Sequence, residues 1–484
     1  MIGETAIRRF LVDKPKLYDF ARKLSATYRQ ARRELRTVVL VGPRAVGARL
    51  LPHAHLWRKA LPVQAPRRVS MNAQGPIDNL AALKSWLGGA AYTEGYDALY
   101  LAPESWRATP IAAVAERYPA AVGLKLSRNK GDAGTSYATP VAGRKTQQML
   151  SANHAYQTLI FNFLHAEGIA PRLYDLIEFE DGYGNVWCGY VVEHVDGAAP
   201  TVDDFNRVIS ELRALEQQGI IFLTSPAGWD GVDFKLPDCH GNLLRDKATG
   251  RALYVDIHNF SLNRYDRFLD KLANEVASAS HFGEQSKIIG TIGGNYLYQE
   301  IPGVAAPAKR SPRQRMVAYD KLFADAKLDL KDKLFLDFGC NLGLMGAELQ
   351  RRGAGWHHGW DFPAVIQATR RTLLAIGCTR FSLASCDMTD AAALRASMPE
   401  HLKRFSADET VISYFALRKH IGWTPLLAEI GWRYMIYEGH QTDGELEGYV
   451  AELNRMVPVE IVVKTKLRDA NSTPRDAAII RRIG

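Results

Sequence analysis

The stretch Lys333–Gly346, KLFLDFGCNLGLMG, decides the fold of the C-terminal third of this 484-residue chain. LFLDF reads as a buried strand, and Gly339, Gly343 and Gly346 follow with Gly-x3-Gly-x2-Gly spacing into a helix running through Glu348 to Arg352. Small residues at the carboxyl end of a first strand let a ligand approach the backbone, and open α/β sheets bind their ligands at that end. The spacing is not the Gly-x-Gly-x2-Gly of dinucleotide sites. Next, GWHHGWDF brings a second strand to Asp361, twenty-four residues beyond Asp337, where a carboxylate can accept two hydrogen bonds. RFSLASCDMTD ends a third strand on Asp387 and Met388, and ETVISYFALRKHIGW and YMIYEGH supply two more strand ends. Strands and helices alternating to residue 484 predict a doubly wound parallel sheet.

Three ordered strand ends resemble the first three cofactor motifs of class I S-adenosylmethionine-dependent methyltransferases, over roughly residues 290–484. The resemblance implies a Rossmann-like domain, placed at 286–484, with Asp337, Gly339, Cys340, Asn341, Gly343, Asp361, Asp387 and Met388 around the cofactor. Asp361 would take the ribose hydroxyls, and Asp387 and Met388 the adenine amine and ring face. In such enzymes the fourth strand end usually faces the methyl group. His420 is therefore the candidate acid/base or acceptor-positioning residue, with Glu438 and His440 behind it; the alternative is a packed structural histidine. Upstream, Tyr298, Gln299, Arg310, Arg313 and Arg315 form either an anion-binding cap over the cofactor or a solvated linker.

A second constellation lies in the middle of the chain. In LPDCHGNLLRDKATGRALYVDIHNF, residues 236–260, Asp238, Asn242 and Asp256 fall in the order phosphoryl transfer needs. Asp238 would orient or deprotonate a hydroxyl, while Asn242 and Asp256 would hold Mg2+ against nucleotide phosphates. This looks like the catalytic loop and metal-binding strand of protein-kinase-like folds. IAPRLYDLIEF and YVVEHVDG resemble the strands leading to the hinge, with Glu193 where backbone groups meet adenine and Lys125 in GLKLS as the phosphate-clamping lysine. Three residues, not the usual four, separate Asp238 from Asn242, Asp233 is an alternative carboxylate, and the metal motif reads DIHN. The kinase-like domain is placed at 119–285, using ATP and Mg2+.

Residues 1–118 read as a small N-terminal α/β layer, with strands at TVVLVGP and YDALYLAP and no phosphate-loop fingerprint. The whole is α/β and α+β, multidomain, since single cores stop growing well below this length. Five scattered cysteines argue against a disulfide framework or a zinc site. No apolar run is long enough to span a membrane and no secretory leader opens the chain, so a cytoplasmic protein is expected, with peripheral membrane association left open. The net charge of +9 favours anionic partners, but no basic–aromatic pattern points to nucleic acid.

Together the two regions resemble the bifunctional kinase–methyltransferases that terminate O-antigen polysaccharides, with the domain order reversed. The resemblance implies phosphorylation of a glycan or metabolite hydroxyl and O-methylation of the same or a nearby oxygen. Two alternatives remain: a methyltransferase whose kinase-like region only binds, and a scaffold in which neither fold is active.

Overall fold

The computed structural model describes residues 67–94, 98–128, 158, 161–217, 221–223, 243–255, 260–262, 297–302, 308–439, 445–467 and 474–483. Contacts divide the chain into two units. One comprises residues 60–131, 147–196 and 266–484, and the other 1–59, 132–146 and 197–265.

In the larger unit the first strands are β1 (Arg67–Ser70), β2 (Thr93–Glu94), β3 (Ala98–Leu101), β4 (Val122–Arg128), β5 (Leu173–Glu180) and β6 (Val186–Glu193). They form one sheet in the order β1-β5-β6-β4-β3-β2, antiparallel except for the β1–β5 pair. The β5–β6 hairpin expected at EDGYGN is present: Asp181 accepts from the backbone N–H groups of Tyr183 and Asn185, which fixes the turn. The expected boundary at 118/119 falls inside this sheet, because β3 and β4 pair directly from Ala98 opposite Ser127 to Leu101 opposite Leu124. β3 is thus no part of a separate N-terminal layer.

The smaller unit contains β7 (Gly197–Ala198), the helix Val202–Gln217, β8 (Ile221–Leu223), β9 (Leu243–Asp246), β10 (Ala252–Tyr254) and β11 (Phe260–Leu262). β9 and β10 form the hairpin expected after Asn242.

Within the larger unit, β12 (Leu297–Gln299) and β13 (Ala308–Arg310) make a short parallel pair ahead of the helix Pro312–Asp325. Then come β14 (Leu334–Phe338), β15 (Trp356–Asp361), β16 (Phe381–Ser385), β17 (Thr410–Phe415), β18 (Tyr434–Glu438), β19 (Val459–Leu467) and β20 (Arg475–Arg482). Their sheet order is β16-β15-β14-β17-β18-β20-β19. Pairing is parallel from β16 to β18, but β20 runs antiparallel to both β18 and β19. The fully parallel sheet expected from the sequence therefore ends in an antiparallel hairpin: the short connection from β19 to β20 cannot make a parallel crossover, which needs a dozen residues or more. The order reverses at β14, with β15 on one side and β17 on the other. Such a switch point opens a crevice beyond the carboxyl ends of the strands.

β14 and β15 are buried along their whole length, as central strands covered on both faces are. Burial also lowers His358 of β15 to about 3 and His401, in the 3-10 segment Glu400–Arg404, to about 4. The six-stranded sheet joins the seven-stranded one at the amino ends of β15 and β16. Tyr174 stacks on Trp356, and Arg172, held between the rings of Tyr174 and Phe381, donates to the Phe381 carbonyl. Among the described residues, no helix is long and apolar enough to cross a membrane.

Candidate functional site

The site is assembled around the loop from Gly339 to Gly343. Gly339, Asn341 and Gly343 all have positive φ, +70°, +50° and +70°. This left-handed backbone is easy for glycine and tolerable for asparagine. The loop is also tightly enclosed. A Cβ on Gly339 would lie 3.1 Å from Leu417 Cδ1, and one on Gly343 3.0 Å from the side chains of Leu373 and Thr369. A Cβ on Gly346 would stand 2.4 Å from the His357 ring, so the third glycine seats the helix Leu344–Arg351 on the sheet.

Hydrogen bonds pin this loop to the end of β15. The backbone N–H groups of Gly339 and Cys340 donate to the Trp360 carbonyl at 3.0 and 3.1 Å. Asp361 Oδ2 accepts from the Asn341 N–H at 2.8 Å, and Oδ1 from the Phe362 N–H at 2.8 Å. The Asn341 side chain accepts from the Leu342 N–H, and Thr369 donates to the Asn341 carbonyl.

Asp361 is the electrostatic centre of the arrangement. Its side chain is largely enclosed, 8% exposed, and burial pushes the carboxyl up to about 6; the two backbone donors oppose the shift, and nearby Asp337 adds to it. Each oxygen accepts one hydrogen bond from a backbone N–H and has room to accept another. A partly desolvated carboxylate with spare acceptor capacity suits a ligand carrying two adjacent hydroxyls, and the left-handed glycine loop beside it suits close backbone approach. The residues present thus fit the ribose of a nucleoside cofactor.

The other expected residues are distributed more widely. Asp337 is buried beneath the loop, where Ser413 donates to Oδ1 and His357 Nε2 lies 3.3 Å from Oδ2. Buried there, it ties β14 to Ser413 of β17 and lies against His357 of β15. Cys340 is likewise buried: its sulfur lies under Gly359, and burial, the largest effect, raises its thiol well above the usual range. Asp387 is exposed just beyond β16 and caps Thr389, whose hydrogen bonds lower its carboxyl, whereas Met388 is packed in the hydrophobic core. His420 is exposed on the four-residue helix Arg418–Ile421 that follows β17.

Glu438 ends β18, but it lies in a buried ionic cluster. Arg315 and Tyr319 donate to Oε2, and Arg475 donates to Oε1 at 3.0 Å. Burial pushes this carboxyl up, but the two guanidiniums and the phenol outweigh it and hold Glu438 below the ordinary value. Arg315 is therefore no exposed cap; it pairs with Glu438 inside the fold, and Arg313 sits near Glu348.

Lys125 and Glu193 lie in the six-stranded sheet, away from the glycine loop. Lys125 is half-buried opposite Tyr190, and Glu193 Oε2 accepts from the Arg172 N–H at 3.0 Å. Asp238, Asn242 and Asp256, along with Asp233 and His440, lie outside the described residues. Sequence reasoning missed Thr369, the Ser413–Asp337–His357 group and Arg475, because each partner comes from a distant segment. Among the described residues, no cluster of three or more His, Cys, Asp or Glu could hold a metal ion.

No protein-family model matches the chain, and no curated protein does. Among solved structures, magnesium protoporphyrin IX methyltransferase from Synechocystis PCC 6803, with bound S-adenosylmethionine, matches 35% of this chain and 80% of its own, at 13% identity and a TM-score of 0.26. An O-methyltransferase family protein from Burkholderia thailandensis matches 34% of this chain and 56% of its own, at 12% identity and a TM-score of 0.25.

Proposed function

We propose that residues 286–484 form a methyltransferase domain that uses S-adenosylmethionine. The observation that carries this is the pairing, at the switch point of a doubly wound sheet, of a left-handed glycine loop with a buried carboxylate at the end of the next strand. Bound S-adenosylmethionine would supply an electrophilic sulfonium methyl, and the protein's share of catalysis is mostly positioning. Asp361 accepts the ribose hydroxyls, the Gly339–Gly343 backbone lies alongside, and Asp387 receives the adenine amine. Where the acceptor is a hydroxyl, His420 takes its proton; where it is a phosphate oxygen, already anionic, no base is required.

We further propose that the kinase-like region expected at 119–285, whose sheet also takes in β3, phosphorylates a hydroxyl of a glycan or related metabolite, and that the methyl group goes to the same or a nearby oxygen. This reading gives Asp238 the acceptor hydroxyl, Asn242 and Asp256 the Mg2+, and Lys125 and Glu193 the nucleotide. The strand β4 that carries Lys125 lies in the interior of its sheet, antiparallel to both neighbours, which supports the reading. So does the helical segment 161–166, which follows it in sequence and sets Phe161 against Tyr190, the cross-strand neighbour of Lys125. Calorimetric titration of the full chain with S-adenosylmethionine and, separately, with Mg-ATP tests both parts. Both are expected to bind. Binding of the first alone would leave a methyltransferase with an accessory module, and binding of neither would reject both activities.

A further inference from the structure

The helix Pro363–Ala375 begins immediately after Asp361 and Phe362. In its middle, buried Thr369 donates to the Val365 carbonyl one turn back and to the Asn341 carbonyl in the glycine loop. Its far end lies about 20 Å away at 1.5 Å per residue. There, the final carbonyls of a helix lack intrahelical donors. Gly377, at φ +82°, closes part of that end by donating its N–H to the Leu374 carbonyl, a left-handed C-cap.

The rest of the closure comes from outside the helix. Asn162, in segment 161–166 and 1% exposed, donates Nδ2 to the carbonyls of Leu374 at 3.1 Å and Cys378 at 3.0 Å. Nearby, Arg172 donates to the carbonyls of Phe381 and Thr379. The segment leading from this helix into β16 is thus gripped from two points that precede it by some two hundred residues.

We propose that Asn162 is a positioning residue for the cofactor site. By fixing the C-terminal end of the helix Pro363–Ala375, it sets where Thr369 and Asp361 hold the loop Gly339–Gly343. The proposal rests on the reading of that loop as the S-adenosylmethionine site. It makes residues 161–166 part of the methyltransferase machinery, acting through the carbonyls of Leu374 and Cys378 rather than through the ligand itself. Because coupling between sites is reciprocal, cofactor bound at one end of the helix must also be felt at the other.

The test uses the full chain and S-adenosylmethionine itself. Asn162→Ala should weaken cofactor binding in calorimetry by about threefold to thirtyfold, the range for couplings carried through packed elements. Ile77→Ala, a core truncation in the loop after β1 that bonds to Asp181 and Trp187, should lose stability yet leave cofactor affinity unchanged. In wild-type protein, saturating cofactor should slow amide hydrogen exchange across residues 161–166, a readout that does not depend on any variant folding. Wild-type affinity in Asn162→Ala, or exchange at 161–166 that ignores the cofactor, would overturn the inference while leaving the methyltransferase reading intact. Wild-type protein that fails to bind the cofactor would remove both.

Discussion

Replacing Asp361 with asparagine should make the protein more stable and a worse binder. Burial raises the Asp361 carboxyl from an ordinary 3.8 to about 6, and a shift of about two pK units corresponds to roughly 3 kcal/mol of cost for holding the ionised group in the folded chain. The folded state binds this proton more tightly than the unfolded state does. The group's stabilising contribution is therefore complete below about pH 4 and is lost as pH rises through about 6. Asparagine removes that cost and keeps an acceptor for the Asn341 N–H, but its amide turns a donor toward the Phe362 N–H and forfeits a hydrogen bond worth about 1 kcal/mol. The balance is a gain of about 1 to 2 kcal/mol at neutral pH, or a few degrees in Tm. Cofactor binding moves the other way. Losing the charge-assisted ribose contact should cost about 1.5 to 3 kcal/mol, roughly a 10- to 150-fold rise in Kd. Wild-type affinity should also fall about tenfold per unit below pH 6, because the ligand hydroxyls bond to the ionised form, whereas the variant's affinity should be flat there. Thermal denaturation and calorimetry from pH 5 to pH 8 check all of this. A variant less stable than wild type with undiminished affinity would refute the reasoning.

Gly339→Val combines a β-branched side chain with φ +70° and a contact 3.1 Å from Leu417, so S-adenosylmethionine binding should vanish in calorimetry. Glu438→Gln leaves Arg315 and Arg475 buried without their carboxylate and should cost about 3 to 5 kcal/mol in denaturant unfolding. Because the folded Glu438 carboxyl lies below its ordinary value, its wild-type contribution is present at neutral pH and is lost as pH falls through the folded value, so the difference between the two proteins should shrink in acid. His420→Ala should slow methyl transfer to a hydroxyl acceptor by about 10²- to 10⁴-fold without changing cofactor affinity. Asp256→Ala should stop ATP-dependent phosphorylation while S-adenosylmethionine binds normally; methylation at the wild-type rate on unphosphorylated acceptor would separate the two chemistries.

The strand–loop–strand core around Asp361 was legible in the sequence because everything that defines it is local. LFLDF, the three glycines and Asp361 fall within 28 residues, and each positive φ is met by a residue that tolerates it. Non-local pairing was not legible. β3 and β4 read as members of separate domains because twenty residues and two short helices separate them, yet they are adjacent in one sheet. Glu438 read as part of an acceptor site because its strand end was visible, whereas its partners Arg315 and Arg475 lie 123 and 37 positions away. Met388 shows the same limit: its place at the end of β16 could be inferred, but not its burial in a core cluster drawn from several distant segments. Asn162 carried no signal, since a lone asparagine in an apolar helical stretch looks like a surface residue until the helix end it caps is known.

The most direct test of the central claim is a crystal structure of the full chain soaked with S-adenosylhomocysteine, the product form of the cofactor. The ligand is expected at the carboxyl end of β14, with its ribose hydroxyls within hydrogen-bonding distance of the Asp361 carboxylate and its backbone neighbours drawn from Gly339–Gly343. A ligand bound elsewhere, or a crevice that stays empty at saturating concentration while Asp361 keeps only its bonds to Asn341 and Phe362, would contradict it.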